Sequence, residues 1–267
     1  MKNYGITKRN EASSSLDYHI ENIRIKGYSI EENAIDDTTC NSFTNKLEEI
    51  YLMQESEFGR ENLEKINELD IARMPFVYDS SFANFFTHPL ALELASRIIG
   101  ENFHLHLQNG IINRPQKEHH QTSWHRDLPY QDWTISKPLA FNAFYCLSDF
   151  NNENGATFVL PFSHNLDFFP SEKFVNENQV QLTAKKGSII FFNSMLYHRA
   201  GINISNSTRY GLNNVFVVPI LKQQVIFSNC INMQEYTQEE LKIIGSRFDV
   251  PSSVLKFRSN KLRKTPT

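Results

Sequence analysis

"SWHRDLPYQDW", residues 123–133, carries two incompatible readings, and the fold turns on which one holds. His125-Arg126-Asp127-Leu128 spells the catalytic loop of a protein kinase. The pair His125-x-Asp127 is also two thirds of an iron site if the chain is extended there. A kinase loop needs an asparagine four residues after its leucine to hold the second magnesium, and Asp132 stands at that place. The chain has no G-x-G-x-x-G, no V-A-I-K and no D-F-G; the nearest approach to the last is Asp149-Phe150-Asn151. The kinase reading is excluded.

On an extended chain, residues i and i+2 point the same way, so His-x-Asp offers two adjacent ligands. A facial site of two histidines and one carboxylate needs a distal histidine and leaves positions open on Fe(II). His198, in "NSMLYHRAG", follows the apolar run "SIIFF" and precedes a turn. Arg209 comes eleven residues later, at the start of the next predicted strand. A guanidinium lining a cleft calls for an anion, and its fork matches a carboxylate such as the distal one of 2-oxoglutarate.

The bulk composition fits an ordinary globular protein. The 267 residues are 40% hydrophobic and 21% charged, with net charge −3, enough chain to bury a sizeable core. That balance argues against nucleic-acid binding and against attachment to an anionic membrane. Cys40, Cys146 and Cys230 form no CxxC pair, so neither a disulfide framework nor a zinc ribbon is expected. No signal peptide and no long apolar segment is visible, which makes a reducing cytoplasm the expected setting.

The organisation predicted is one α+β domain over 1–267. Residues 1–20 read as a flexible lead-in, and "NIRIKGYSIEEN" (22–33) as an early strand or turn. A helix is predicted within "DDTTCNSFTNKLEEIYLMQESEF", with Phe43, Leu47, Ile50 and Tyr51 at helical spacing. A second is predicted over 87–100, with Pro89 in its first turn and Gly100 closing it. From about residue 100 to 225, short β-branched and aromatic runs alternate with Gly, Pro, Asn and Asp, the pattern of an antiparallel sandwich or barrel. A helix and a basic, frayed tail follow over 235–267.

Other polar residues have two readings each. Asn142 interrupts an apolar strand and joins either a buried network or a cosubstrate site. Asn213, four residues after Arg209, shares its face of the strand. Trp124, Tyr130 and Trp133 bracket the metal pair and either line a substrate pocket or pack as core or lid. Arg126 is expected to point away from the metal into a salt bridge, with substrate contact as the other reading. His104-x-His106 is either a ligand pair or one face of a core strand, His119-His120 a loop pair, and His164 structural.

The segments "WHRD", "LSDFNNENGATFVLPFSH", "GSIIFFNSMLYHRAG" and "STRYGLN" resemble those of the phytanoyl-CoA dioxygenase family, Fe(II)- and 2-oxoglutarate-dependent oxygenases. The resemblance covers roughly residues 20–225. It departs at Phe162, where the family usually has glycine, so a different turn is expected there. The resemblance implies a double-stranded β-helix, a cupin-like jelly roll, with flanking N-terminal helices. It implies Fe(II) on His125, Asp127 and His198, with Arg209 anchoring 2-oxoglutarate and O2 as co-reactant. Gln108, seventeen residues ahead of His125, resembles a position where relatives place a polar residue toward the cosubstrate or substrate; an exposed strand-edge glutamine is the other reading. The aspartate at 127 favours hydroxylation over halogenation. The expected reaction hydroxylates an unactivated C–H bond of a small polar metabolite, releasing succinate and CO2, in a monomer or homodimer. A cupin-type metalloenzyme without 2-oxoglutarate, and a non-catalytic jelly-roll binding module, are the competing classes.

Overall fold

The computed structural model describes residue 5, residues 11–116 and residues 119–264. Among these residues nine strands form two sheets. The larger is antiparallel and contains β1 (Tyr28–Glu31), β2 (Ile71–Arg73), β3 (His104–Asn113), β4 (Ala140–Cys146), β7 (Ile189–Asn193) and β9 (Arg209–Val217), in the order β1-β7-β4-β9-β3-β2. The smaller has β5 (Phe158–Val159) between β6 (Val180–Gln181) and β8 (His198–Arg199). Together they make the jelly roll. β1 and β2 lie outside the expected core of 100–225, yet they close the two edges of the large sheet.

Side-chain alternation divides the large sheet into two faces. On β4, Phe141, Ala143 and Tyr145 pack into the cluster shared with the helices, while Phe144 and Cys146 join the cluster between the sheets. β7 repeats this, with Ile189 and Phe191 against Ile190 and Phe192. Strands buried on both faces read as continuous apolar runs, so "AFNAFYC" and "IIFFN" show no polar alternation.

The helices covering the outer face start and stop where their caps dictate. α1 (Ser15–Ile25) begins after Ser14, whose side chain accepts from the Asp17 N–H. The lead-in is therefore shorter than expected, residues 22–25 are helical, and the strand begins only beyond Gly27; the rest of the lead-in, save residue 5 and residues 11–14, lies outside the described residues. α2 (Asp37–Phe58) is capped by Asp36 and buries Phe43, Leu47, Ile50 and Tyr51; such a cap contributes about 1 kcal/mol. α3 (Arg60–Lys65) and α4 (Ala83–Phe86) are short. α5 (Pro89–Ile99) has proline in its first turn and ends at Gly100, with φ 105°. α6 (Glu172–Asn178) lies between β5 and β6. α7 (Gln238–Ile244) has a capping box between Thr237 and Glu240. α8 (Val254–Lys264) corrects the expected frayed tail, which is helical as far as Lys264.

The turn at Phe162 keeps the shape that glycine would give it. Phe162 itself takes the left-handed conformation, φ 69°, with its ring more than half exposed.

Candidate metal and cosubstrate site

His125 and Asp127 lie between β3 and β4, outside both strands. The chain is extended at His125, which exchanges two backbone hydrogen bonds with His198, both 3.0 Å. The Asp127 N–H donates to the Ser194 carbonyl at 3.1 Å. These bonds zip the pair onto the segment between β7 and β8 and set the three side chains together.

One potential ligand atom from each of His125, Asp127 and His198 lies within 4.8 Å of the others. His198 Nε2 is 3.7 Å from Asp127 Oδ1. Nδ1 of His125 donates to the Ser123 carbonyl and Nδ1 of His198 to the Leu196 carbonyl, both at 2.9 Å. Those bonds place each proton on Nδ1 and leave each Nε2 lone pair free, the tautomer a metal requires. Burial pulls the pKa of His198 well below the ordinary histidine value, and the nearby His125 adds to this. His198 is therefore neutral at physiological pH.

The second carboxylate oxygen is occupied. Asp127 Oδ2 accepts from Asn142 Nδ2 at 2.5 Å and from Asn213 Nδ2 at 3.4 Å. Asn142 in turn donates to Asn213 Oδ1 at 3.1 Å, and its Oδ1 accepts from the Ser194 hydroxyl. Asn142 thus belongs to a buried network that orients Asp127.

Arg209 lies in the same cavity, which measures about 210 Å³. It is 1% exposed, its guanidinium stands 4.5 Å over the Phe150 ring, and among the described residues Nε and Nη1 have no hydrogen-bond partner. Burial lowers its pKa to about 10, so it is charged at neutral pH. A buried guanidinium with donors unspent is costly unless an anion completes it. With the free Nε2 atoms and the one-sided Asp127, it fits Fe(II) chelated by a dicarboxylate ketoacid.

The remaining expectations divide. Asn213 lines the cavity on the same face of β9 as Arg209. Gln108 does not reach it. A bulge between Leu105 and Leu107 shifts the register of β3, so Leu107, Asn109 and Ile111 face the cavity and Gln108 faces the helices. There it is fully buried, accepting from the Phe76 N–H and donating to the Phe82 carbonyl, both at 3.1 Å. Neither expected reading of Gln108 holds. Tyr130 is exposed and lines a neighbouring recess. Trp124 packs near Phe169 and under Arg199 without lining the cavity, and Trp133 is half exposed on the surface. Arg126 is buried and borders the cavity, and among the described residues it is in no salt bridge: it donates to the carbonyls of Met195, Ser163 and Leu166 and stacks 3.8 Å over Tyr197. His104 and His106 lie outside the ligand cluster. His164 is buried, with Nε2 within 3.2 Å of the Arg24 carbonyl, in keeping with a structural role.

Residues missed in the sequence include Asn109, Arg73 and Thr157, all on the cavity wall. With its amide turned to suit both neighbours, Asn109 accepts from Arg73 Nη1 at 2.8 Å. Asn109 was one register step from Gln108. Arg73, on an edge strand over thirty residues upstream, gave no local signal.

Residues 23–211 match the family model for phytanoyl-CoA dioxygenase (PhyH). The uncharacterized protein Rv1501 of Mycobacterium tuberculosis and its counterpart Mb1539 of Mycobacterium bovis are 30% identical over 226 residues, covering 80% of this chain and 80% of theirs. Among solved structures, the fold is similar to that of the epimerase SnoN, crystallised with Fe3+, alpha ketoglutarate and nogalamycin RO, at TM-score 0.60 and 15% identity, covering 77% of this chain and 84% of that one. The non-heme alpha ketoglutarate dependent carbocyclase SnoK gives TM-score 0.58 at 17% identity, covering 78% of this chain and 85% of that one. At such identities these likenesses establish the jelly roll alone. Among the described residues, no helix is long and apolar enough to cross a membrane.

Proposed function

Because this chain belongs to the phytanoyl-CoA dioxygenase family, whose members use Fe(II), 2-oxoglutarate and O2, we propose that it hydroxylates a C–H bond of a small polar metabolite, with His125, Asp127 and His198 holding iron and Arg209 anchoring 2-oxoglutarate. The observation that carries this reading is Arg209, a buried cation with two guanidinium nitrogens unpartnered among the described residues, in the cavity that holds the three ligand atoms.

Iron, 2-oxoglutarate and O2 together supply the oxidising chemistry: the cosubstrate leaves as succinate and CO2, one oxygen atom enters succinate and the other enters the substrate C–H bond. The chain supplies placement. His125 and His198 present Nε2 because Ser123 and Leu196 hold their Nδ1 protons. Asp127 would bind iron through Oδ1, because Asn142 and Asn213 hold Oδ2. A set of only three protein ligands would leave iron able to take up the cosubstrate and O2. Arg209 meets the distal carboxylate, and Phe144 and Phe192 on the cavity wall exclude water from the reacting region. A carboxylate at residue 127 fills the place a halide would need, which favours hydroxylation. The polar cavity wall, with Asn109, Gln121, Thr157 and Asn213, suits a polar metabolite better than an unbroken alkyl chain.

The test is succinate release from the Fe(II)-loaded protein with 2-oxoglutarate and a metabolite panel, with product mass followed under 18O2. A gain of one labelled oxygen is expected. Because the epimerase and carbocyclase above share the fold, a product without added oxygen would replace hydroxylation by another oxidation. Undiminished succinate release by Asp127→Ala would overturn the ligand assignment.

A further inference from the structure

Beside the candidate iron cavity lies a second recess of about 420 Å³. Asp127, Pro129 and Gln224 line both, so the two spaces are contiguous past the metal-binding carboxylate. Tyr130 and Ile220, both more than half exposed, mark its surface end. His106 lines its inner part. That imidazole is 5% exposed, and its Nδ1 has no hydrogen-bond partner. A buried polar atom without a partner costs about 1–3 kcal/mol, which a ligand hydrogen bond relieves.

The charge on the walls has one sign available. Lys222 lines the recess, and among the described residues no ion pair engages its ammonium. The one lining carboxylate is Asp127, whose Oδ2 is already taken by Asn142. Ile220 and Leu221 add apolar surface between the charged and polar groups. The recess thus offers a cation, an unspent imidazole nitrogen and a short apolar wall next to the place where oxidation would occur.

We propose that this recess seats an anionic group, a carboxylate or phosphate, on the substrate, held by the Lys222 ammonium and by the N–H of a His106 imidazole protonated on Nδ1. The proposal rests on the oxygenase reading above and narrows its substrate to a small acid whose carbon chain reaches from Lys222 to the metal cavity. His106 and Gln108 then serve different ends although two residues apart: the bulge of β3 presents His106 to the recess and leaves Gln108 among the helices.

The experiment is calorimetric titration of the Fe(II)-loaded protein under anaerobic conditions with 2-oxoglutarate saturating, so that Arg209 is already engaged. The probes are hexanoate, hexyl phosphate and hexanamide, which share one alkyl chain. At least one of the two anions is expected to bind about fivefold or more tightly than the amide, a gap that Lys222→Met closes. Preference for hexanoate assigns a carboxylate and preference for hexyl phosphate a phosphate. Lys222 is exposed, so its replacement leaves the core intact, and His106→Phe should lower affinity for the same anion while preserving the folded state. Equal binding of all three probes, no binding of either anion, or a preference that survives Lys222→Met would overturn the proposal. The oxygenase reading fails on another readout: 2-oxoglutarate that does not bind the Fe(II)-loaded protein, or binds Arg209→Met equally well.

Discussion

Asn142 donates from Nδ2 to Oδ2 of Asp127 at 2.5 Å, leaving Oδ1 to face Nε2 of His198 at 3.7 Å. One amide therefore decides which carboxylate oxygen is free. Groups that orient a metal ligand typically change metal affinity by roughly 10–100-fold when removed. Asn142→Leu, close in volume, should weaken Fe(II) binding by that order while the protein stays folded by circular dichroism. Wild-type iron affinity in the variant would show that Asp127 needs no such support.

Arg209 predicts opposite effects on binding and on stability. It is fully buried with two donor nitrogens unpaired among the described residues, so in the cosubstrate-free protein it is a desolvated charge that its stacking on Phe150 compensates only in part. Arg209→Met should abolish 2-oxoglutarate binding and raise the stability of the cosubstrate-free protein by at least about 1 kcal/mol. Saturating 2-oxoglutarate should raise the melting temperature of the wild type and leave the variant unmoved. A variant less stable than wild type without cosubstrate would make Arg209 a structural residue.

Gln108 tests how the bulge partitions β3. Gln108→Leu strands the Phe76 N–H and the Phe82 carbonyl, each costing about 1–3 kcal/mol. Unfolding in urea should therefore move to lower denaturant while the 2-oxoglutarate dissociation constant stays put. A large change in that constant with unchanged stability would return Gln108 to the cavity.

That contrast also shows where sequence reading reached its limit. His125 and Asp127 were legible as a His-x-Asp pair, whose i, i+2 spacing puts both side chains on one side of an extended chain; His198 and Arg209 were legible because each stands next to an apolar strand. The helices α2 and α5 were legible through their caps and apolar spacing. The face of Gln108 was not, because one extra residue in β3 inverts the alternation and nothing local marks it. Arg126 was misread for a different reason: its partners are three backbone carbonyls from distant segments, and such partners carry no side-chain signature. The edge strand β2 is three residues long, too short for a period to show, and β1 was read within 22–33 with its start misplaced, because residues 22–25 close α1.

Phe162 holds a left-handed backbone, φ 69°, in the turn that follows β5. For a bulky residue this conformation costs on the order of 1 kcal/mol, and glycine adopts it freely at some cost in unfolded-chain entropy. With the ring more than half exposed, little packing is lost on removing it. Phe162→Gly should therefore equal or exceed wild type in stability by up to about 1 kcal/mol, and Phe162→Ala should not. The two melting temperatures, compared at one pH, decide it.

Buried neutral histidines give the metal-free protein a defined acid sensitivity. Burial lowers the pKa of His88, His104, His106, His119, His120 and His164, in His119 to about 3 from 6.5. The sign follows from proton counting. Below the unfolded value near 6.5 the unfolded chain binds protons that the folded protein refuses, so stability is fully present above that pH and declines as pH falls. His119 alone should remove about 1 kcal/mol for each unit of pH between about 6 and its folded value, with smaller losses from the others. Urea midpoints measured on the metal-free protein should fall steadily from about pH 7 to 5, and His119→Gln should flatten the slope. A midpoint independent of pH over that range would mean that these rings are solvated in the folded state.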